Sequence, residues 1–296
     1  MASNTMPFLD RVGYCVIKRD DGKFYKLDGL DFKFSIERKA GAFQCFADVS
    51  VCGLKKDDVL AYTSFTAQWR EFNKKKYIAI YAGYAGTGGP KLLFEGDVYN
   101  AVPTMPPDVW MNMKARTGHY LQQTSVSKSI LSPMKLEDVC KNAANWMGKK
   151  LLWMVKNADA NAKMIPQFQC KGTLAQLAQQ MQDLAPDLIC VNVNEKTGCV
   201  EIVDIDKIDY SAKMLTIDLD HGLLGVPVPS PWGVEFDMRL QTDICRFQPI
   251  HLESQMMPLL KGNYAVACYT HSGHLRGGDW KTHIKARRID IYNHGK

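Results

Sequence analysis

The stretch HSGHLRGGDWKTHIKARR, residues 271–288, gathers the side chains of this chain best suited to chemistry. His271, His274, Asp279 and His283 are residue types that ligate metals. However, a His-x-x-His pair on a strand does not bring both rings to one face as helical spacing would. No cysteine completes a zinc set. The second half of the stretch is a strand pattern of period two. Trp280, Thr282, Ile284 and Ala286 fall on one face, suited to a barrel interior, and Lys281, His283, Lys285 and Arg287 fall on the other. Three readings of that basic face stay open. It can be a solvated face, a wall that meets nucleic-acid phosphates without base readout, or a docking edge for an acidic subunit. Trp280 lies opposite the basic line, so the strand lacks the interleaved aromatics of a base-stacking surface.

Elsewhere the chemistry is sparse. YAGYAGTGGPK (81–91) is glycine-rich after a strand, but no Lys-Ser/Thr follows at phosphate-loop spacing and PKLLFEG continues as strand. A hairpin loop is expected there. There is no GxSxG or HExxH motif. Asp57/Asp58 and Glu137/Asp138 are expected at surface helix starts, where the macrodipole favours them. No enzymatic role, metal or cofactor is expected.

The net charge of +6 is concentrated near the C-terminus, where residues 261–296 hold seven Lys/Arg against two Asp. A hydrophobic share of 46% and a charged share of 23% fit a soluble globular protein large enough to fold without disulfides or metal. Nine scattered cysteines with no CxxC read as reduced thiols packed as small hydrophobes. No apolar run reaches the roughly 18 residues of a membrane span, and MASNTMPFLDR is not read as a secretory signal. Synthesis in a cytoplasm, without a membrane anchor, is expected.

These residues must be held by strands. Residues 12–116 read as short strands, with Leu30, Phe32, Phe34 and Ile36 alternating cleanly and one short helix in KKDDVLAYTSF. The polar, serine-rich YLQQTSVSKSILSP suggests a linker. MKLEDVCKNAANWMG has helical spacing with Gly148 placed to stop it. GTLAQLAQQMQDLAPD is a second helix with a Thr173/Gln176 capping box. A hairpin follows around Lys-Thr-Gly, and from about residue 213 strands return, with GVPVPSPWG too proline-rich for a central strand. The expected fold is mainly β with an α+β module: two small β-barrels flanking a two-helix-plus-hairpin domain. The expected bounds are 8–119, a linker at 120–133, 134–211, and 212–296.

The C-terminal third carries a family pattern. A Gly-x-Pro-x-Pro approach to a Gly-Val strand (Gly225, Pro227, Pro229, Gly233, Val234) is followed by Gly262 and Tyr264. A hairpin with His271, Gly273, Arg276, Gly277 and Trp280 and a strand with Thr282, Ile284 and Ala286 close it. With the two helices and hairpin before it, this resembles phage tail baseplate hub proteins, related to the type VI secretion spike-base fold. The match runs by motif over roughly residues 130–290, with a looser FEGDVYNAV in the N-terminal part. The family commonly has aspartate where this chain has His274. The resemblance implies a structural virion protein of the tail baseplate. In such proteins a homotrimer forms a pseudo-sixfold ring that joins tail tube to central spike and surrounds the DNA exit path. Implied partners are tube, spike and other baseplate subunits, and DNA passing without sequence specificity. The basic face Lys281, His283, Lys285 and Arg287 would then line the lumen or a subunit interface. A nucleic-acid-binding β-barrel protein is the alternative.

Overall fold

The computed structural model describes residues 10–18, 22–38, 45–63, 76–119, 124–186, 188–194, 199–204, 214–231, 233–246 and 248–289. The chain divides into two compact units. One comprises Met1–Arg38, Cys45–Thr117 and Lys213–Lys296; the other comprises Lys39–Gln44 and Gly118–Ala212.

The N-terminal part of the first unit holds β1 (Arg11–Lys18), β2 (Phe24–Leu27), β3 (Phe32–Arg38), β4 (Cys45–Cys52), α1 (Lys56–Tyr62), β5 (Tyr77–Tyr84), β6 (Gly89–Pro103) and β7 (Trp110–Arg116). Alternation places Phe32, Phe34 and Ile36 in the core and leaves Lys33 and Ser35 exposed, as the sequence implies. The glycine-rich 81–91 segment is the β5–β6 hairpin, turning through a short 3-10 segment at Ala85–Thr87. Asp58 departs from expectation. It shares the inward face of α1 with Tyr62, one turn on, and is buried, whereas Asp57 is exposed.

The second unit contains β8 (Ser125–Ile130), β9 (Met134–Lys135), α2 (Leu136–Trp146), β10 (Lys150–Met154), α3 (Ala158–Ala162), β11 (Met164–Ile165), β12 (Phe168–Thr173), α4 (Leu174–Asp183), β13 (Ile189–Asn194) and β14 (Cys199–Asp204). Leu136, Val139, Cys140 and Ala143 from α2 pack with Leu174, Leu177, Ala178 and Met181 from α4 in one core. Gly148, with φ +68°, follows the C-terminal end of α2, and Thr173 and Gln176 close both halves of the capping box on α4. β13 and β14 form the expected antiparallel pair, and its Lys196-Thr197-Gly198 turn lies outside the described residues. β8 lies within the stretch read as a linker. It pairs with β12 and buries Val126 and Ile130, so its serines mark an exposed strand face rather than a tether.

The chain then returns to the first unit with β15 (Leu215–Ile217), β16 (Leu223–Ser230), β17 (Gly233–Arg239), β18 (Pro249–Leu252), β19 (Gly262–His274) and β20 (Trp280–Arg288). All strands of the first unit join one sheet, with the main path β16-β17-β20-β19-β3-β4-β7-β6-β5-β1-β2. The two β segments meet where β19 pairs with β3. Among the described residues the path is open, ending at β16 and β2, and pairing closes neither segment into a separate barrel. β16 is an edge, as its prolines require.

That path contains one motif twice. β3-β4-β7-β6 and β16-β17-β20-β19 have the same strand order, all antiparallel. Their registers superpose: Asp48 faces Lys114 as Glu235 faces Lys285, and Ala47 faces Ala115 as Val234 faces Ala286. β6 bulges between Val98 and Asn100, opposite Ala115 and Lys114. β19 bulges between Val266 and Cys268, opposite Ala286 and Lys285. A shared bulge at a shared register marks a repeated unit, because bulges are specific local features of a pairing.

Candidate assembly face and hairpin

β20 presents the two faces its sequence implies. Trp280, Thr282, Ile284 and Ala286 are buried, while Lys281, His283, Lys285 and Arg287 lie on the outer side. The basic residues do not stand alone, because β17 runs beside them with two carboxylates. Lys281 Nζ donates to Asp237 Oδ2 at 2.8 Å, His283 Nδ1 lies 2.7 Å from Asp237 Oδ1, and Lys285 Nζ lies 2.9 Å from Glu235 Oε2. Burial opposes ionisation of Asp237, but the hydrogen bonds from Lys281 and His283 outweigh it and hold the carboxyl below its usual range. The same contacts raise the two ammonium groups: Lys281 through its hydrogen bond to Asp237, Lys285 through its bond to Glu235. The positive line read from one strand is therefore a cross-strand ladder of opposite charges. Its acidic half was legible in GVEFDMRL, but which strand lies beside β20 is a matter of topology.

The hairpin joining β19 to β20 is docked. His274 Nε2 lies 2.9 Å from Asp31 Oδ2, Leu275 N donates to Phe32 O, and Arg276 Nη2 donates to Gly29 O at 2.7 Å. Arg11 Nη1 donates to the carbonyls of His274 and Gly277, at 3.1 Å each, and its guanidinium sits 5.6 Å from the centre of the Trp280 ring. Trp280 meets Phe34 edge-on. Gly273 is needed for this closeness, since a Cβ there would lie 2.5 Å from Phe34 Cζ and 2.7 Å from Trp280 Cε3. At the tip the left-handed backbone falls on Gly278, with φ +63°. A Cβ at Gly277 would meet only the His274 ring, at 3.7 Å.

The three histidines considered as metal ligands turn to different partners. His271 is buried with Nδ1 2.9 Å from Thr282 Oγ1, His274 faces Asp31, and His283 faces Asp237. Burial pushes His271 down to about 3, so it is neutral near pH 7. Among the described residues no group of three or more His, Cys, Asp or Glu is placed to hold a metal. Burial also pushes the Cys15 and Cys140 thiols up to about 12, which leaves them protonated and unreactive. A cavity of about 270 Å³ opens near Lys91 and Asp243, and these two residues pair with each other at 2.6 Å.

Comparison with known proteins gives this sheet and its docked hairpin a family. The family described as baseplate hub gp41 matches residues 14–280. The chain belongs to this family. It is accordingly a phage-tail structural protein of the baseplate-hub type, and its place is the virion tail. Comparison with curated protein sequences finds no match. Among solved structures, the 43 kDa tail protein of prophage MuSo2 from Shewanella oneidensis matches with a TM-score of 0.61 at 12% identity, over 94% of this chain and 97% of that one. A tail protein from Neisseria meningitidis MC58 matches with a TM-score of 0.61 at 8% identity, over 95% and 98%. The E. coli c3393 protein matches with a TM-score of 0.55 at 9% identity, over 95% and 74%. It is a type VI secretion component with structural similarity to the T4 tail proteins gp27 and gp5. At these identities the likeness is one of fold.

Proposed function

We propose that three copies of this hub form a ring at the tail tip that joins the tail tube to the central spike and surrounds the DNA exit path. The supporting observation is the repeated four-strand motif. Each chain carries it twice, side by side in one sheet, so three chains supply six equivalent positions to a sixfold tube. Tube, spike and neighbouring baseplate proteins are the partners, and the chain is made in the host cytoplasm before assembly.

In this reading the outer face of β20 and its neighbours lines the passage. DNA slides there without being gripped, because Lys281 and Lys285 already have carboxylate partners. The same pairing weighs against a dedicated nucleic-acid binder, whose affinity comes from cations free to neutralise phosphates. Light scattering of the purified chain at low and high salt tests the ring. Three chains of 33.4 kDa, near 100 kDa and stable to salt, is the expected result. A single chain at every concentration, or a mass that collapses in salt, contradicts it.

A further inference from the structure

β17 carries a row of charges on its outer face, and one member of that row is not used by the ladder. Glu235 and Asp237 pair with Lys285, Lys281 and His283. Arg239, the next residue in the row, faces Lys281 across the β17–β20 pair. Like charges set opposite each other destabilise a strand pair. Nor does the pairing require an arginine at this place. Its register counterpart in the first motif is Cys52, whose N–H donates to Asp31 O as the Arg239 N–H donates to Gly222 O.

The aliphatic stem of Arg239 lies against Gly222. A Cβ on that glycine, whose φ is +97°, would sit 3.4–3.5 Å from the Arg239 Cβ, Cγ and Cδ. Arg239 lines the cavity of about 270 Å³ together with Lys91, Asp220, His221 and Asp243. Lys91 is paired with Asp243, and His221 with Asp218. The side chains of Arg239 and Asp220 have no hydrogen-bond or ion-pair partner among the described residues. Tyr84 lines the same space. Burial pushes its phenol above the ordinary value, while the Leu240 backbone, Arg239 and Arg11 act the other way, so it stays protonated near pH 7.

We propose that this cavity binds a small zwitterion of dipeptide size, with its carboxylate on Arg239 and its ammonium on Asp220. The guanidinium fork matches a carboxylate through two parallel hydrogen bonds. Lys91 and Arg239 balance Asp220 and Asp243, so the unpaired groups are one of each sign. A ligand carrying a single charge leaves one of them unmatched; a zwitterion meets both. A phosphate dianion would meet one unpaired cation and the repulsion of two carboxylates. The volume falls just below the roughly 300 Å³ at which drug-sized pockets begin, which suits a ligand of about two residues. This site lies outside the ring reading and does not depend on it.

Titration calorimetry of the full-length chain with glycylglycine, at pH 7 and fixed ionic strength, tests the site. One saturable site per chain is the expected result. Acetate and ethylammonium, which each carry one of the two charges, should bind about tenfold more weakly or worse. Arg239→Gln and Asp220→Asn should each weaken glycylglycine by about tenfold while far-ultraviolet circular dichroism stays unchanged. Lys150→Gln, at an exposed position in the other unit, should bind as the wild type does. If Arg239→Gln does not fold, Asp220→Asn and the ligand comparison on the wild type still decide. No saturable binding to the wild type overturns the proposal. So does acetate or inorganic phosphate binding as tightly as glycylglycine, or a folded Arg239→Gln chain that binds it unchanged.

Discussion

The two copies of the four-strand motif share strand order, the register of their central pairs and one bulge, yet β16 has a further register shift between Leu224 and Val228 and the hairpin tips differ. The tip after β19 is docked, with Trp280 5% exposed against Phe34 and held by Arg11, Arg276 and the His274–Asp31 pair. The tip after β6 holds Met105 and Val109 out to solvent, and Val109 occupies the register place of Trp280. The difference separates two uses of one design. Where the chain closes the joint on itself, an aromatic anchor and charged clasps hold it. Where the end is left open, exposed aliphatic groups stand in their place.

The comparison breaks most sharply at the anchors. Trp280→Ala should cost about 3–5 kcal/mol in denaturant unfolding, because it empties a packed site. Val109→Ala should stay within about 0.5 kcal/mol in the dissociated chain. Gly273→Ala comes next, at about 1–3 kcal/mol, since its Cβ collides with Phe34 and Trp280. Gly277→Ala in the same hairpin should be near neutral. Equal losses at both glycines would show that the hairpin is not packed as described.

A further difference between the copies appears in pH. His271 has its folded pKa depressed by burial, so below about pH 6.5 the unfolded chain binds a proton that the folded chain refuses. Stability should therefore fall as pH drops from about 6.5 towards 3, by up to about 1.4 kcal/mol per pH unit from this group. Its register counterpart in the first motif is Pro103, which does not titrate. Denaturation across that range should give a shallower slope for His271→Gln than for wild type; parallel slopes would contradict a neutral buried imidazole.

The charge ladder gives the smallest change in stability. Asp237→Asn should cost at most about 1 kcal/mol, less in high salt, because the pair is partly exposed. Asp237 is depressed in the folded state. Its contribution is therefore present above the ordinary carboxylate pKa and lost as pH falls through the lower folded value. The sharper readout is binding of random duplex DNA. Glu235→Gln with Asp237→Asn should tighten it and steepen its salt dependence by removing the carboxylates beside His283 and Lys285 and leaving Lys281 only Asp279, at 3.7 Å. Unchanged binding would show that the pairing does not mask the face.

The sequence exposes local periodicity well and long-range pairing poorly. The two faces of β20, the α4 capping box and the edge character of β16 follow from spacing two, spacing three and proline chemistry, all readable along the chain. Glu235 and Asp237 sit about 50 residues before their partners, and Asp31 and Gly29 lie nearly 250 residues from the hairpin they hold. Nothing local announces such pairs. β8 was hidden by composition, since the exposed Lys128 interrupts the inward face between Val126 and Ile130. The repeat did leave a trace in Met-Lys-Ala-Arg at 113–116 and Ile-Lys-Ala-Arg at 284–287, whose registers coincide in the sheet. Their meaning emerges only when the strands beside them are known.

The most direct test of the central claim is to count copies and lobes in averaged end-on electron-microscope images of the assembled protein. Three copies arranged as six lobes around an open passage is the predicted result. A particle of one, two or six chains, or three chains with no central passage, would contradict it.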